Sequence, residues 1–345
     1  MEKIHFGVIG TNFITAKVIA GARQDTRFEL TAVCSRSIER AREFAQTHSI
    51  PSTFTSLEEM VTGNTVDAVY IATPNALHAS QSILCMQHGK HVLCEKPLAS
   101  NAAEARLMID TANRHNVVLM EAMRTTLTPN FLTLRQRLHE AGTIRRYFSS
   151  YCQYSSRYDR YKAGELPNAF NPLLSNGAIM DIGVYTIYPL VTLFGKPDSI
   201  HASSLLLPSG VDGEGSAILR YPTMDAIVIY SKIADSNLPS EIQGEQGTIT
   251  INRINDFAKV HFTPRPDTKH TAVTSIEWST TDNHDHYYHE VAEFINLIQS
   301  GRHQSEINSH RNSLLTLEII DEIRRQSAIR FPADTTIPPE PSAIC

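Results

Sequence analysis

Asp181 and Tyr185 stand four residues apart in a stretch that reads as a helix from about residue 177 to 194, so both side chains project from one face. A carboxylate and a phenol on one face can take or give a proton at a hydroxyl. A phenol, with a pKa of about 10, is a poor base at neutral pH, but an adjacent ammonium favours the phenolate. Lys96 is the candidate ammonium. It closes the run Gly89-Lys90-His91-Val92-Leu93-Cys94-Glu95-Lys96-Pro97, a short apolar strand stopped by a charged pair and a proline that cannot donate to a ladder. In an open α/β sheet, ligands sit in the crevice outside the carboxyl ends of the strands, and a lysine there can point into it. Tyr185 also fits an aromatic anchor beside Tyr188 and Leu190. Asp181 fits a mere surface charge less well, because Ile179, Met180 and Ile182 around it read as buried.

The elements that must position these residues alternate regularly at first. Strand patterns at 4–9, 29–34, 68–72, 91–94 and 117–121 are separated by helical patterns at 13–22, 38–47, 57–62, 77–88 and 102–115. Ser37 is a reasonable N-cap for the second helix. Such alternation implies a parallel sheet covered on both faces. After Arg124 the texture changes. A helix at 129–141 and a polar, aromatic strand at 144–154 precede the 177–194 helix. Short strands then follow at 199–207, 215–221, 226–232, 241–243, 248–252, 259–263 and 273–278, the spacing of an antiparallel sheet, and helices at 288–300 and 311–326 close the chain. The expected organisation is a dinucleotide-binding domain over 1–124, a substrate and oligomerisation domain over 125–331, and a flexible, proline-rich tail over 332–345.

The turn after the first strand bears on a cofactor. In Gly7-Val8-Ile9-Gly10-Thr11-Asn12-Phe13-Ile14-Thr15 only the first glycine of G-x-G-x-x-G is kept, at Gly10; Asn12 and Thr15 take the other places. Gly10 meets the need for a tight turn, and the following helix would still offer free N–H groups to a phosphate. At the end of the second strand, where NAD binders commonly carry a carboxylate, stands Cys34-Ser35-Arg36, with Arg40 one turn on. Arginine forks suit phosphate, so NADP(H) is preferred over NAD(H), which stays possible. Arg36 and Arg40 also fit plain charges on a solvated helix start.

Composition narrows the partners. A chain of 345 residues is long enough for two cores, and its net charge of -5 argues against nucleic acid or an anionic membrane as the main partner. No run approaches a membrane-spanning length, and Met1-Glu2-Lys3 leads straight into a strand, so no signal peptide and no membrane are expected. Cys34, Cys85, Cys94, Cys152 and Cys345 are scattered and read as reduced thiols of a cytoplasmic protein. His284, Asp285, His286, His289 and Glu290 have the residue types of a metal site. They sit in a polar loop entering a helix, and no metal is expected there.

Taken together, these segments resemble the glucose–fructose oxidoreductase/inositol dehydrogenase (Gfo/Idh/MocA) family. The matching pieces are Val8-Ile9-Gly10-Thr11, Ala72-Thr73-Pro74-Asn75 with His78, the run from Gly89 to Pro97, Gly177 to Tyr185, and Glu241 to Thr248. The resemblance implies an α/β fold: an N-terminal Rossmann domain with a parallel sheet, then an α/β domain whose large, mostly antiparallel sheet makes a homodimer or homotetramer. It implies that Lys96 and Tyr185 share proton transfer, with Asp181 orienting the lysine or the substrate hydroxyl. It places Gly10, Thr11, Asn12, Phe13, Ile14, Ser35, Arg36, Arg40, Thr73, Pro74, Asn75, His78, Glu95 and Lys96 around the cofactor. Many members carry histidine where this chain has Tyr185; tyrosine resembles the dihydrodiol and xylose dehydrogenase-like branch.

The implied activity is hydride transfer between the nicotinamide and a secondary alcohol or ketone of a small sugar, polyol or cyclic diol. Tyr154, Arg157 and Tyr158, which follow a strand, would line the substrate site with Tyr185, or else form surface aromatic cover. Two other classes fit the same fold: an NAD-dependent glycoside hydrolase or eliminase using transient oxidation, and a non-enzymatic dinucleotide-sensing regulator.

Overall fold

The computed structural model describes residues 2–268 and 272–335. Six parallel strands, β1 (Ile4–Ile9), β2 (Phe28–Cys34), β3 (Ser52–Phe54), β4 (Ala68–Ile71), β5 (His91–Glu95) and β6 (Leu119–Ala122), form a sheet in the order β3-β2-β1-β4-β5-β6. β4 is buried along its whole length, as a strand covered on both faces must be. Helices α1 (Phe13–Ala22), α2 (Ile38–His48), α3 (Leu57–Thr62), α4 (His78–Gln87) and α5 (Ala102–His115) make the crossovers. Ser37 caps α2 as read, its Oγ accepting from Arg40 N at 3.3 Å. The strand order reverses between β1 and β4, which opens a crevice at their carboxyl ends.

The second sheet has eight strands in the order β14-β13-β12-β11-β7-β10-β9-β8. They are β7 (Ile144–Cys152), β8 (Ser199–Leu206), β9 (Asp212–Arg220), β10 (Asp225–Ser231), β11 (Ser240–Gly244), β12 (Gly247–Ile251), β13 (Val260–Pro264) and β14 (Ile276–Glu277). The sheet is antiparallel except at its centre, where β7 and β10 run parallel. In this half α6 (Pro129–Arg137) precedes β7, α7 (Tyr158–Lys162) follows it with none of its residues buried, and α8 (Val184–Phe194) packs on β7 and β10. The last helices turn back: α9 (Tyr288–Gln299) packs on α1, and α10 (His310–Gln326) on α5 and α8.

The structure departs from the sequence reading in several details: the helix read at 129–141 is α-helical only to Arg137, the strand read at 273–278 is reduced to Ile276–Glu277, and α7 has no counterpart in that reading. The short edge strand β3 carries too few residues to show a period. The tail expected to be loose from 332 is held at its start: Pro332–Asp334 forms a 3₁₀ turn, and Asp334 pairs with the buried Arg324; residues 336–345 of that tail lie outside the described residues. Among the described residues, one helical stretch, Pro172–Phe194, is long and apolar enough to cross a membrane, but 72% of its most apolar window is buried inside the protein. It is a core helix, packed on β7, β10 and the last long helix of the chain.

Candidate functional site

The crevice at the switch between β1 and β4 opens into a cavity of about 740 Å³ that runs from the start of α1 to the second sheet. Asn12, Phe13, Ile14, Thr73, Pro74, Asn75, His78, Glu95 and Lys96 wall one side, and Asp181, Tyr185, Tyr154 and Arg157 the other. Gly10 makes the turn that starts it, with φ +97°, and a Cβ there would stand 2.5 Å from Ala72 O. Only glycine suits that position. Asn12 then caps α1: its Oδ1 accepts from Ile14 N at 2.8 Å and Thr15 N at 3.1 Å, while Nδ2 donates to Ala72 O at 2.6 Å. The helix start is therefore less open than the sequence implied. Two of its N–H groups are answered by a side chain that a glycine would lack.

Lys96 leaves the end of β5 beside a cis peptide to Pro97, and its Nζ donates to Asp181 O at 2.8 Å and Asp181 Oδ1 at 3.2 Å. The same ammonium lies 5.0 Å from the Tyr185 ring centre, and Tyr151 meets that ring edge-on at 5.7 Å. Asp181 belongs to a π-helical turn, Ile179–Gly183, in which Val184 N reaches Ile179 O. The turn begins at Gly177, where a Cβ would collide with the Asp212 carboxylate. That carboxylate accepts from Ala178 N and Ile179 N at 2.9 and 2.8 Å. Burial disfavours the Lys96 ammonium, but Tyr185, Asp181 and Glu95 more than offset it and hold the lysine pKa above its ordinary range. Burial likewise opposes the Asp181 carboxylate, yet two ammoniums, Lys232 and Lys96, hold its pKa far below the usual carboxylate value. Asp181 is an anchor for cations and not a base.

Lys232 is the residue that sequence reasoning missed. It follows β10, is buried, and its Nζ donates to Asp181 Oδ2. Nothing in an alternating strand marks its last lysine as buried. Tyr151 had a legible signal: it shares strand parity with Tyr147 and Ser149, both buried on β7. Arg124, Tyr287 and Lys17 also wall the cavity.

The remaining candidates divide. Tyr154 and Arg157 line the cavity, with Tyr154 OH donating to Asp159 at 2.7 Å. Tyr158 packs on Phe170 at 5.6 Å and on Tyr161 at 6.0 Å; it is aromatic cover. His78 lies in the wall, but its ring nitrogens are held 2.9 Å from Thr73 O and Pro97 O, so it clamps two loops together. Asn75 donates to Ser175 O at 2.8 Å, and Glu95 accepts from Tyr70 OH at 2.6 Å. Arg36 is exposed at the end of β2 beside the half-buried Ser35. Arg40 and Thr11 line a separate hollow of about 260 Å³. Glu39, the nearest carboxylate, is turned onto Ser37 Oγ at 2.6 Å.

Of the histidine-rich loop, His284 and His289 gather around Asp282, all three outside the cavity wall. Asp285 instead accepts from Tyr287 N, and Glu290 is buried.

A dinucleotide fits these residues. The left-handed turn at Gly10, the crevice at the switch point and the continuous cavity supply the path, and Lys17 on α1 adds a positive charge to its wall.

Residues 4–123 match the model of an oxidoreductase family with an NAD-binding Rossmann fold, GFO/IDH/MocA, and residues 131–250 match the C-terminal domain of that family. The chain belongs to this family. It is 49% identical to scyllo-inositol 2-dehydrogenase (NADP(+)) IolU of Bacillus subtilis, across 96% of this chain and 99% of that one. It is 32% identical to a trans-1,2-dihydrobenzene-1,2-diol dehydrogenase of Danio rerio, covering 95% and 97%. Levoglucosan dehydrogenase, solved with NADH and levoglucosan, shares the fold at TM-score 0.84 and 21% identity, over 95% of this chain and 98% of that one. The family and the branch read from Tyr185 both stand.

Proposed function

We propose that the protein is an NADP-dependent dehydrogenase of cyclic polyols or diols, moving a hydride between the nicotinamide and a ring carbon bearing a secondary hydroxyl. The observation that carries this reading is the convergence of Lys96, Asp181 and Tyr185 on the cavity that begins at the helix start after Gly10. The relative from Bacillus subtilis, named for an inositol and for NADP(+), supports the polyol and the cofactor. Arg36 and Arg40 would meet the 2′-phosphate, and the chain carries Cys34-Ser35-Arg36 where NAD binders commonly place a carboxylate.

When bound, the nicotinamide supplies the hydride acceptor or donor. The chain's own task is the proton. In reduction Tyr185 Oη gives its proton to the ketone oxygen, and in oxidation it takes it back. The Lys96 ammonium faces the ring and offsets the negative charge left on the phenolate. Asp181 fixes that ammonium in place. Tyr154 and Arg157 offer a phenol and a guanidinium to further ring hydroxyls.

The open face of the second sheet, with Leu205 and Ile218 exposed on β8 and β9, supports a homodimer or homotetramer formed there. Scattering-coupled size exclusion tests this; a monomer at micromolar concentration would refute it. The activity is tested by following NADPH formation with inositols, other polyols and cyclic diols, each with NADP and NAD. Binding without net turnover on any of them would favour a sensor or an enzyme that keeps its cofactor.

A further inference from the structure

Two lysines share one carboxylate in this site. Lys96 Nζ lies 3.2 Å from Asp181 Oδ1, and Lys232 Nζ donates to Asp181 Oδ2. The residue Lys232 is only 3% exposed, and its other neighbours are Ala169 O at 3.4 Å and the Phe170 ring at 5.2 Å. Its main chain is fixed on both sides, N–H to Gly213 O and C=O to Ser155 N, so the loop bearing Tyr154 and Arg157 hangs on the same residue.

A lone Lys96–Asp181 pair would be neutral. With Lys232 included, the triad carries one net positive charge on a cavity wall. Burying a second ammonium is costly unless it is paired, and a neutral residue would close β10 without that cost.

We propose that Lys232 is a positioning residue of the proton-transfer site, taking half of the Asp181 carboxylate so that the Lys96 ammonium keeps uncompensated charge toward Tyr185 and the reacting oxygen. This inference rests on the dehydrogenase reading above. The charged and titratable groups around the triad are Glu95 on β5, Arg124, Tyr151 on β7, Tyr185, Asp212 on β9 and Tyr287 before α9. His78 and Glu121 lie further back against Lys96. None of them is a second cation on Asp181, which makes Lys232 the distinguishing one among the described residues.

The test uses Lys232→Gln, which keeps a donor but removes the charge, and Lys232→Arg, which keeps the charge. Steady-state oxidation of the best polyol is followed from pH 6 to 10, with NADP affinity measured by fluorescence. Lys232→Gln should bind NADP as wild type does and lose about 10- to 100-fold in kcat. Its acid limb in kcat/KM should move up by about one pH unit, because removing a nearby positive charge disfavours the phenolate. Lys232→Arg should return the limb toward wild type. A Lys232→Gln enzyme with wild-type kcat and an unmoved limb overturns the proposal. So does a variant that fails to fold, which would make the lysine a structural ion-pair partner. Failure of the underlying reading shows earlier and separately, as wild-type protein that turns over no polyol or diol.

Discussion

The side chain of Asn12 donates to the carbonyl of Ala72 at 2.6 Å, tying the turn after β1 to the end of β4 across the crevice. The same carbonyl is the atom that a Cβ on Gly10 would strike. One peptide oxygen thus fixes both the glycine and the asparagine of a loop that has lost two of its three glycines. Asn12→Ala should cost about 1 kcal/mol of stability through the lost cap, read by denaturant unfolding. It also frees the N–H groups of Ile14 and Thr15, so NADP affinity should hold or improve. Binding weakened more than tenfold would mean that the Asn12 side chain itself holds the cofactor.

Cofactor choice should turn on Arg36. Arg36→Asp places a carboxylate where a ribose 2′-hydroxyl can be held and removes the fork suited to a phosphate. The ratio of NADP to NAD affinity should fall at least tenfold and approach or pass unity. Titration of each cofactor against intrinsic fluorescence measures it, and an unchanged ratio would shift the role to Arg40.

Tyr185→Phe removes one hydroxyl from a ring packed against Tyr151, so the fold should survive. We expect kcat to fall by about 10²–10⁴ with NADP affinity unchanged. Lys96→Ala should fall by a similar factor. The double variant should lose little more than either single one, because parts of one unit are not additive. Losses that multiply would show two independent contributions.

Glu121 gives a prediction about stability. It lies on β6, 2% exposed, and burial pushes its carboxyl up to about 7 despite the donor Leu98 N at 3.0 Å. Its folded pKa exceeds the unfolded value, so the native state holds the extra proton between about pH 4 and 7. Stability from this group is present in acid and is lost as pH rises toward 7. Glu121→Gln should flatten that fall and leave the protein more stable than wild type at pH 8, by about 3 kcal/mol at most. Thermal unfolding from pH 5 to 8 measures it; parallel curves for the two proteins would contradict it.

The first sheet was legible because its strands are continuous apolar runs and its helices carry caps such as Ser37 and Asn101. Helices α1, α3 and α5 coincide with their sequence patterns for the same reason. The site was half legible. Lys96, Asp181 and Tyr185 were visible because a charged pair before proline, and a polar face within an apolar helix, break the local pattern. Lys232 was not, since burial of a lysine depends on a carboxylate fifty-one positions away, and no local period encodes that. Tyr158 misled for the opposite reason: its phenol suggests a polar role, while three neighbouring rings decide its place.

The wide turn at Ile179–Gly183 holds one residue more than an α-helical turn would accommodate. The helix carries that extra residue without breaking, running directly on into α8. Removing one residue, such as Ile182, would leave the anchor three positions before the phenol instead of four, a spacing at which a regular α-helix still keeps two side chains on one face. The wide turn therefore sets the fine angle between anchor and phenol, both of which already meet the Lys96 ammonium, and a change in length here would retune that angle without separating the pair.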